Sequence, residues 1–182
     1  MKSTLLSVAL LASTLPSQGV AWWAGTWDDA VEDARRRNVP LIVAFVMDNE
    51  EANDRIVAGL YKDDAFIKAT ERAVAILACP NTHKPIEQKI NGKNMRVCSK
   101  FGHATCEAHK QMEMEVRLAF WPDGRVATPT HIIVLPDDTK VGMLSDVMPT
   151  GSYVSALKTG RTKLGGRGLT RVEYAKVLEL LE

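Results

Sequence analysis

The sequence predicts an α/β fold built around a mixed sheet. Two apolar runs, at 41–46 and 72–79, show no polar alternation and read as strands covered on both faces. Helical segments lie between them, and a helical crossover implies parallel pairing. Two later runs, at 131–135 and 141–147, flank the turn residues Pro136-Asp137-Asp138-Thr139. They read as an antiparallel hairpin.

The elements follow in order. Thr26 opens a helix with Trp27, Ala30, Val31 and Ala34 at i, i+3, i+4 and i+7. Arg35, Arg36 and Arg37 complement its C-terminal dipole, and Asn38 and Pro40 stop it. Asp48 and Glu51 are candidate caps for a helix running to about Tyr61, and 64–70 reads as another short helix. The stretch 80–127 separates the second strand from the hairpin. Its first part is polar, with turns at Asn81-Thr82 and Asn91-Gly92. Its second part, about 105–120, is helical, with Ala108, Met112, Val116, Ala119 and Phe120 expected on the buried face. A short helix is expected at 152–159 and a glycine-rich link at 164–168. Thr170 and Glu173 form a capping box for a last helix.

The 182 residues are 46% hydrophobic and 25% charged, which suits one globular domain. Lysine plus arginine nearly balance the acids, for a net charge of +1. That balance gives no support for a nucleic-acid partner. Residues 1–21 read as a cleaved secretory signal: Lys2 is the basic start, 5–12 the apolar stretch, and Gly19 and Ala21 the small residues before the cut. The apolar stretch is too short to span a bilayer, and no later one is long enough. The protein is therefore expected to be exported, to the periplasm or outside the cell, with an extracytoplasmic protein as partner. Disulfides are chemically allowed there.

Residues 27–79 resemble the opening of secreted thioredoxin-like domains: a Trp-led helix, the Val39-Pro40 entry, a buried strand, a helix and a second strand. Thr128-Pro129-Thr130, followed by Ile132-Ile133-Val134 and the Asp137-Asp138 turn, resembles the cis-proline segment and hairpin of that superfamily. The resemblance implies a three-layer sandwich, with a thioredoxin-like domain at 22–160, an insertion at about 80–127, and a linker and C-terminal helix at 161–182. It also implies a cis bond before Pro129. Where active relatives carry Cys-x-x-Cys, this chain has Glu50 and Asn53. Neither side chain can form a mixed disulfide, so the usual redox chemistry does not carry over. By the same resemblance Thr128, Pro129, His131, Glu50 and Asn53 line the partner-binding face. His131 reads there either as a proton shuttle or, as a lone strand histidine more often is, as a packed residue. Asp48, Glu50, Glu51 and Asp54 form an acidic cluster that reads either as a cation site or as helix capping.

All three cysteines and all four histidines lie between Cys79 and His131. A disulfide between Cys98 and Cys106, leaving Cys79 spare, would staple a polar insertion that has little apolar content of its own. Zinc or copper held by Cys79, Cys98, Cys106 and His109 would do the same, with His83 or His103 as substitute ligands. These two arrangements exclude each other. The disulfide model leads to a binding or accessory protein with no resident cofactor. A third arrangement makes Cys98 and Cys106 the catalytic pair of a relocated thiol-disulfide oxidoreductase.

Overall fold

The structure, a computed structural model, describes residues 19–90, 92–102, 104–122 and 124–181. Most of the expected signal segment, and His103, lie outside these residues. In chain order the elements are α1 (Trp27–Arg37), β1 (Leu41–Phe45), α2 (Glu51–Ala58), a 3-10 turn (Leu60–Lys62), α3 (Asp64–Thr70) and β2 (Val74–Ala78). Then come β3 (Pro85–Ile90), β4 (Lys93–Cys98), α4 (Cys106–Phe120), β5 (Thr130–Val134), β6 (Lys140–Ser145), α5 (Thr150–Lys163) and α6 (Arg171–Glu179).

The main sheet has the order β2-β1-β5-β6. β1 runs parallel to β2 and antiparallel to β5, and β6 pairs antiparallel with β5. Every residue of β1, β2 and β5 is buried, as apolar runs without alternation require. Strand alternation divides these side chains between two cores. Leu41, Val43, Phe45, Val74, Ile76, Ile132 and Val134 face Ala30 and Ala34 of α1 and Met112 and Val116 of α4. Ile42, Ala44, Ala75, Leu77 and Ile133 face Ile56, Phe66, Tyr153 and Leu157 of α2, α3 and α5. The result is three layers, helix, sheet and helix. Val20 and Trp22 also pack in the second core, so cleavage after Ala21 would remove one core side chain.

Several sequence expectations need correction. The polar first part of the insertion is a hairpin, β3 paired antiparallel with β4. The buried stripe of α4 is Cys106, His109, Met112 and Val116, and Ala119 is exposed. The short helix expected at 152–159 is longer: α5 runs over Thr150–Lys163. Gly160 sits where an added Cβ would meet Pro40 at 3.0 Å and Ile133 at 3.2 Å, so α5 approaches the sheet closely there.

Arg37 does more than complement a dipole. It is fully buried at the end of α1. Its guanidinium donates to Asp33 at 2.9 Å and to the carbonyls of Leu169 at 3.0 Å, Glu71 at 2.8 Å and Ala73 at 3.3 Å.

Candidate functional site

The functional groups gather at the C-terminal ends of the parallel strands β1 and β2, where open α/β sheets place their ligands. β1 leads into Met47 and Asp48, and β2 into Cys79. The loop after β4 folds back on itself: the Cys98 amide donates to the Ala104 carbonyl at 2.8 Å, and the Gly102 amide to the Cys98 carbonyl at 2.9 Å. Gly102 has a φ of +67°, which suits glycine. This fold brings the end of β4 and the start of α4 together. Thr105 caps α4 by accepting from the Ala108 amide. Cys106 is the first residue of the helix.

One ligand atom from each of His83, Cys98, Cys106 and His109 lies within 4.8 Å of the others. His83 Nδ1 is 3.2 Å from Cys98 Sγ and 3.8 Å from Cys106 Sγ. The other nitrogen, Nε2, donates to the Asp48 carboxylate, at 3.1 and 3.2 Å from its two oxygens. His109 is arranged in the same way. Its Nδ1 donates to the Cys79 carbonyl at 2.7 Å. Its Nε2 is buried, carries a lone pair in that tautomer, and has no hydrogen-bond partner among the described residues. Burial pushes His109 below the ordinary imidazole value, which keeps the ring neutral.

Asp48 does not cap α2. Burial pushes its carboxyl up, but bonds from Lys100 and His83 outweigh this and hold it below the ordinary carboxylate value. Lys100 Nζ lies 2.6 Å from Asp48 and 3.1 Å from Asp54. Asp48, Cys79 and His83 also form a close group. The cation Asp48 already holds there is the Lys100 ammonium.

The expected Cys98–Cys106 disulfide is not formed: all three cysteines are free, with His83 against both sulfurs of the proposed pair. Cys79 is not in the four-membered group. Its thiol faces the Asn81 side chain at 3.7 Å, and burial pushes it up to about 11. Of the expected ligands, Cys98, Cys106 and His109 come together, and His83 stands in the place given first to Cys79.

The partner-binding set divides. The Thr128–Pro129 bond is cis. Thr128 Oγ1 donates to Glu50 at 2.7 Å, and Asn53 Nδ2 donates to the same carboxylate at 2.5 Å. Asn53 is fully buried and accepts from the Met47 amide. Glu50 stands at the N-cap position of α2 but makes no capping bond. The position given to a dithiol therefore holds a polar clamp. Beside Thr128 is a groove of about 320 Å³ lined by Phe45, Met47, Pro80, Arg117 and Val126. His131 does not reach the surface. It is fully buried between Tyr61 and Tyr153, and Nε2 pairs with the Tyr61 hydroxyl at 2.9 Å. Burial lowers it to about 3, so it stays neutral and cannot shuttle protons to a partner.

Solved structures share this arrangement of sheet and helices. A chain described as DsbH oxidoreductase matches with a TM-score of 0.51 at 14% identity, over 86% of this chain and 95% of that one. A thioredoxin from Thermus thermophilus matches with a TM-score of 0.52 at 15% identity, over 80% of this chain and 90% of that one. The chain has a thioredoxin-like fold. No protein-family model and no curated protein sequence matches it. In this thioredoxin-like chain no two cysteines stand in a Cys-x-x-Cys pattern. The thiols lie in the insertion and at the end of β2. No helix among the described residues is long and apolar enough to cross a membrane.

Proposed function

We propose that this is a thioredoxin-fold accessory protein that binds zinc through His83, Cys98, Cys106 and His109. The observation that carries the reading is the matched state of the two histidines. Each has one ring nitrogen fixed by an acceptor, Asp48 for His83 and the Cys79 carbonyl for His109. Each therefore leaves a lone pair on its other nitrogen. This is the outer-shell pattern that orients metal-ligating histidines. Zinc bonds of about 2.3 Å to sulfur and about 2.0 Å to nitrogen need ligand-to-ligand edges of roughly 3.3–3.8 Å. The close four-atom group is near that size. Two thiolates with two imidazoles in a tetrahedron favour zinc over calcium or magnesium. Four protein ligands close the coordination sphere, which suits a structural or regulatory ion rather than a catalytic one.

In this reading the ion joins the loop after β2, the end of β4 and the first turn of α4 within the insertion. An extracytoplasmic protein docks in the groove beside Thr128 and Pro129, without a covalent intermediate. Elemental analysis of full chain purified under reductant tests the ion: one zinc per chain is expected, lost in His109→Ala. Asp48→Asn keeps all four ligands but removes the carboxylate that accepts from His83 Nε2, so affinity should fall about 10–100-fold in a competition titration. Unchanged affinity would remove the role given to Asp48.

A second reading has one observation in its favour. Cys106 is the first residue of α4 and the more exposed of the pair, and Cys98 lies beside it. Thiol-disulfide exchange by this pair would be abolished in Cys98→Ser. Measurable turnover of a model disulfide by the parent chain, with no zinc bound, would favour it.

A further inference from the structure

We propose that the cysteine pair is also the release device of the metal centre: a low-molecular-weight disulfide oxidises Cys98 and Cys106 to an intramolecular disulfide and expels the zinc. This rests on the metal-binding reading. The two sulfurs belong to one group of atoms within 4.8 Å of one another. The 98–104 loop is closed by its own backbone bonds, which hold the end of β4 next to the start of α4. Joining the sulfurs therefore requires no rearrangement of the sheet.

The cysteines differ in access. Cys98 and Cys79 have no exposed surface, whereas Cys106 keeps 7%. Cys106 also sits at the N-terminus of α4, and its sulfur accepts from the His83 amide at 3.2 Å. Its exposed edge makes Cys106 the sulfur that a small disulfide meets first. The order of events follows. The Cys106 thiolate attacks one sulfur of the small disulfide, that S–S bond breaks, and the first small thiolate leaves with the electron pair. The Cys98 thiolate then attacks the Cys106 sulfur of the mixed disulfide, and the second small thiolate leaves. Two protein thiolates lose two electrons and the small disulfide gains them, its thiolates taking protons from solvent. The ion departs as Zn²⁺, unchanged in oxidation state, because the new disulfide retains no thiolate charge to hold it. Cys79, outside the four-ligand group, stays a thiol.

The test uses zinc-loaded full chain and oxidised glutathione, with a zinc indicator, thiol counting and peptide mapping. Expected is loss of one equivalent of zinc as the Cys98–Cys106 disulfide forms, with one thiol remaining, on Cys79. Dithiothreitol with added zinc should restore the loaded protein. Cys79→Ser should release zinc as the parent does. Zinc retained while metal-free chain closes its disulfide under the same conditions would overturn the inference and leave the metal-binding reading standing. So would release with glutathione fixed on Cys79, or with Cys79 in the protein disulfide. A reduced chain that binds no zinc would remove both.

Discussion

Asn53 stands where the resemblance puts a cysteine, and its surroundings define a structural task. Its carboxamide bridges the Met47 amide and the Glu50 carboxylate, with no exposed surface. Asn53→Ala would leave a buried amide without its acceptor, so a loss of about 1–3 kcal/mol is expected in urea unfolding. Zinc content should not change. His131 contributes to the pH dependence of stability, in the same direction as buried His109. The value of His131 in the fold is about 3, below the ordinary 6.5, because burial penalises the charged ring. Between those values the unfolded chain binds a proton that the folded chain does not. Stability should therefore be full above about pH 6.5 and fall as pH is lowered towards 3. The unfolding midpoint measured across that window should be flatter in His131→Gln. Part of the site was legible from residue type alone: Cys98, Cys106 and His109 share a short stretch, and a thiol and an imidazole at i, i+3 meet on one face of a helix. The choice between Cys79 and His83 was not legible. It depends on how the 80–84 loop turns back towards Cys106, and residue spacing does not encode that path. Burial of His131 agrees with the commoner reading of a lone strand histidine, although its position two residues past a proline also suited a partner-facing role.

At the scale of elements, legibility follows burial. β1 and β2 announce themselves because both of their faces are covered, and the β5–β6 hairpin because a turn-rich segment separates two apolar runs. The β3–β4 hairpin does not. Four of the six residues of β4 are exposed, so its apolar pattern is faint and Asn91-Gly92 is its main signal. Its attachment is also slight: only Val97 and Cys98 of β4 are buried. A two-stranded hairpin of this kind is marginal without a further tie. Zinc would supply one through Cys98. Chelation should therefore speed amide hydrogen exchange in β3, β4 and the first turn of α4, while β1, β2 and β5 stay protected. Equal change across the whole sheet would mean that the ion acts globally and not on the insertion.

Across the whole molecule, Arg37 joins segments far apart in sequence. One guanidinium holds the end of α1, the 71–73 turn ahead of β2, and Leu169 before α6. Arg37→Ala would leave Asp33 and three carbonyls short of a donor, and a loss of about 3–5 kcal/mol is expected in denaturant unfolding. Arg37→Lys should recover little, since an ammonium lacks the planar fork that reaches all four acceptors. The order β2-β1-β5-β6 has a further consequence for how the chain must be made. β1 is an interior strand, yet its second neighbour begins only at Thr130. During synthesis at about 5–20 residues per second, the flank of β1 that β5 will cover waits roughly 4–17 s for its mate. For that interval the ribosome presents a short, wholly apolar strand with one row of amides and carbonyls unpaired, a template for any neighbouring extended chain. The insertion prolongs this exposure, and a nascent chain arrested within it should need a holding chaperone to stay in solution.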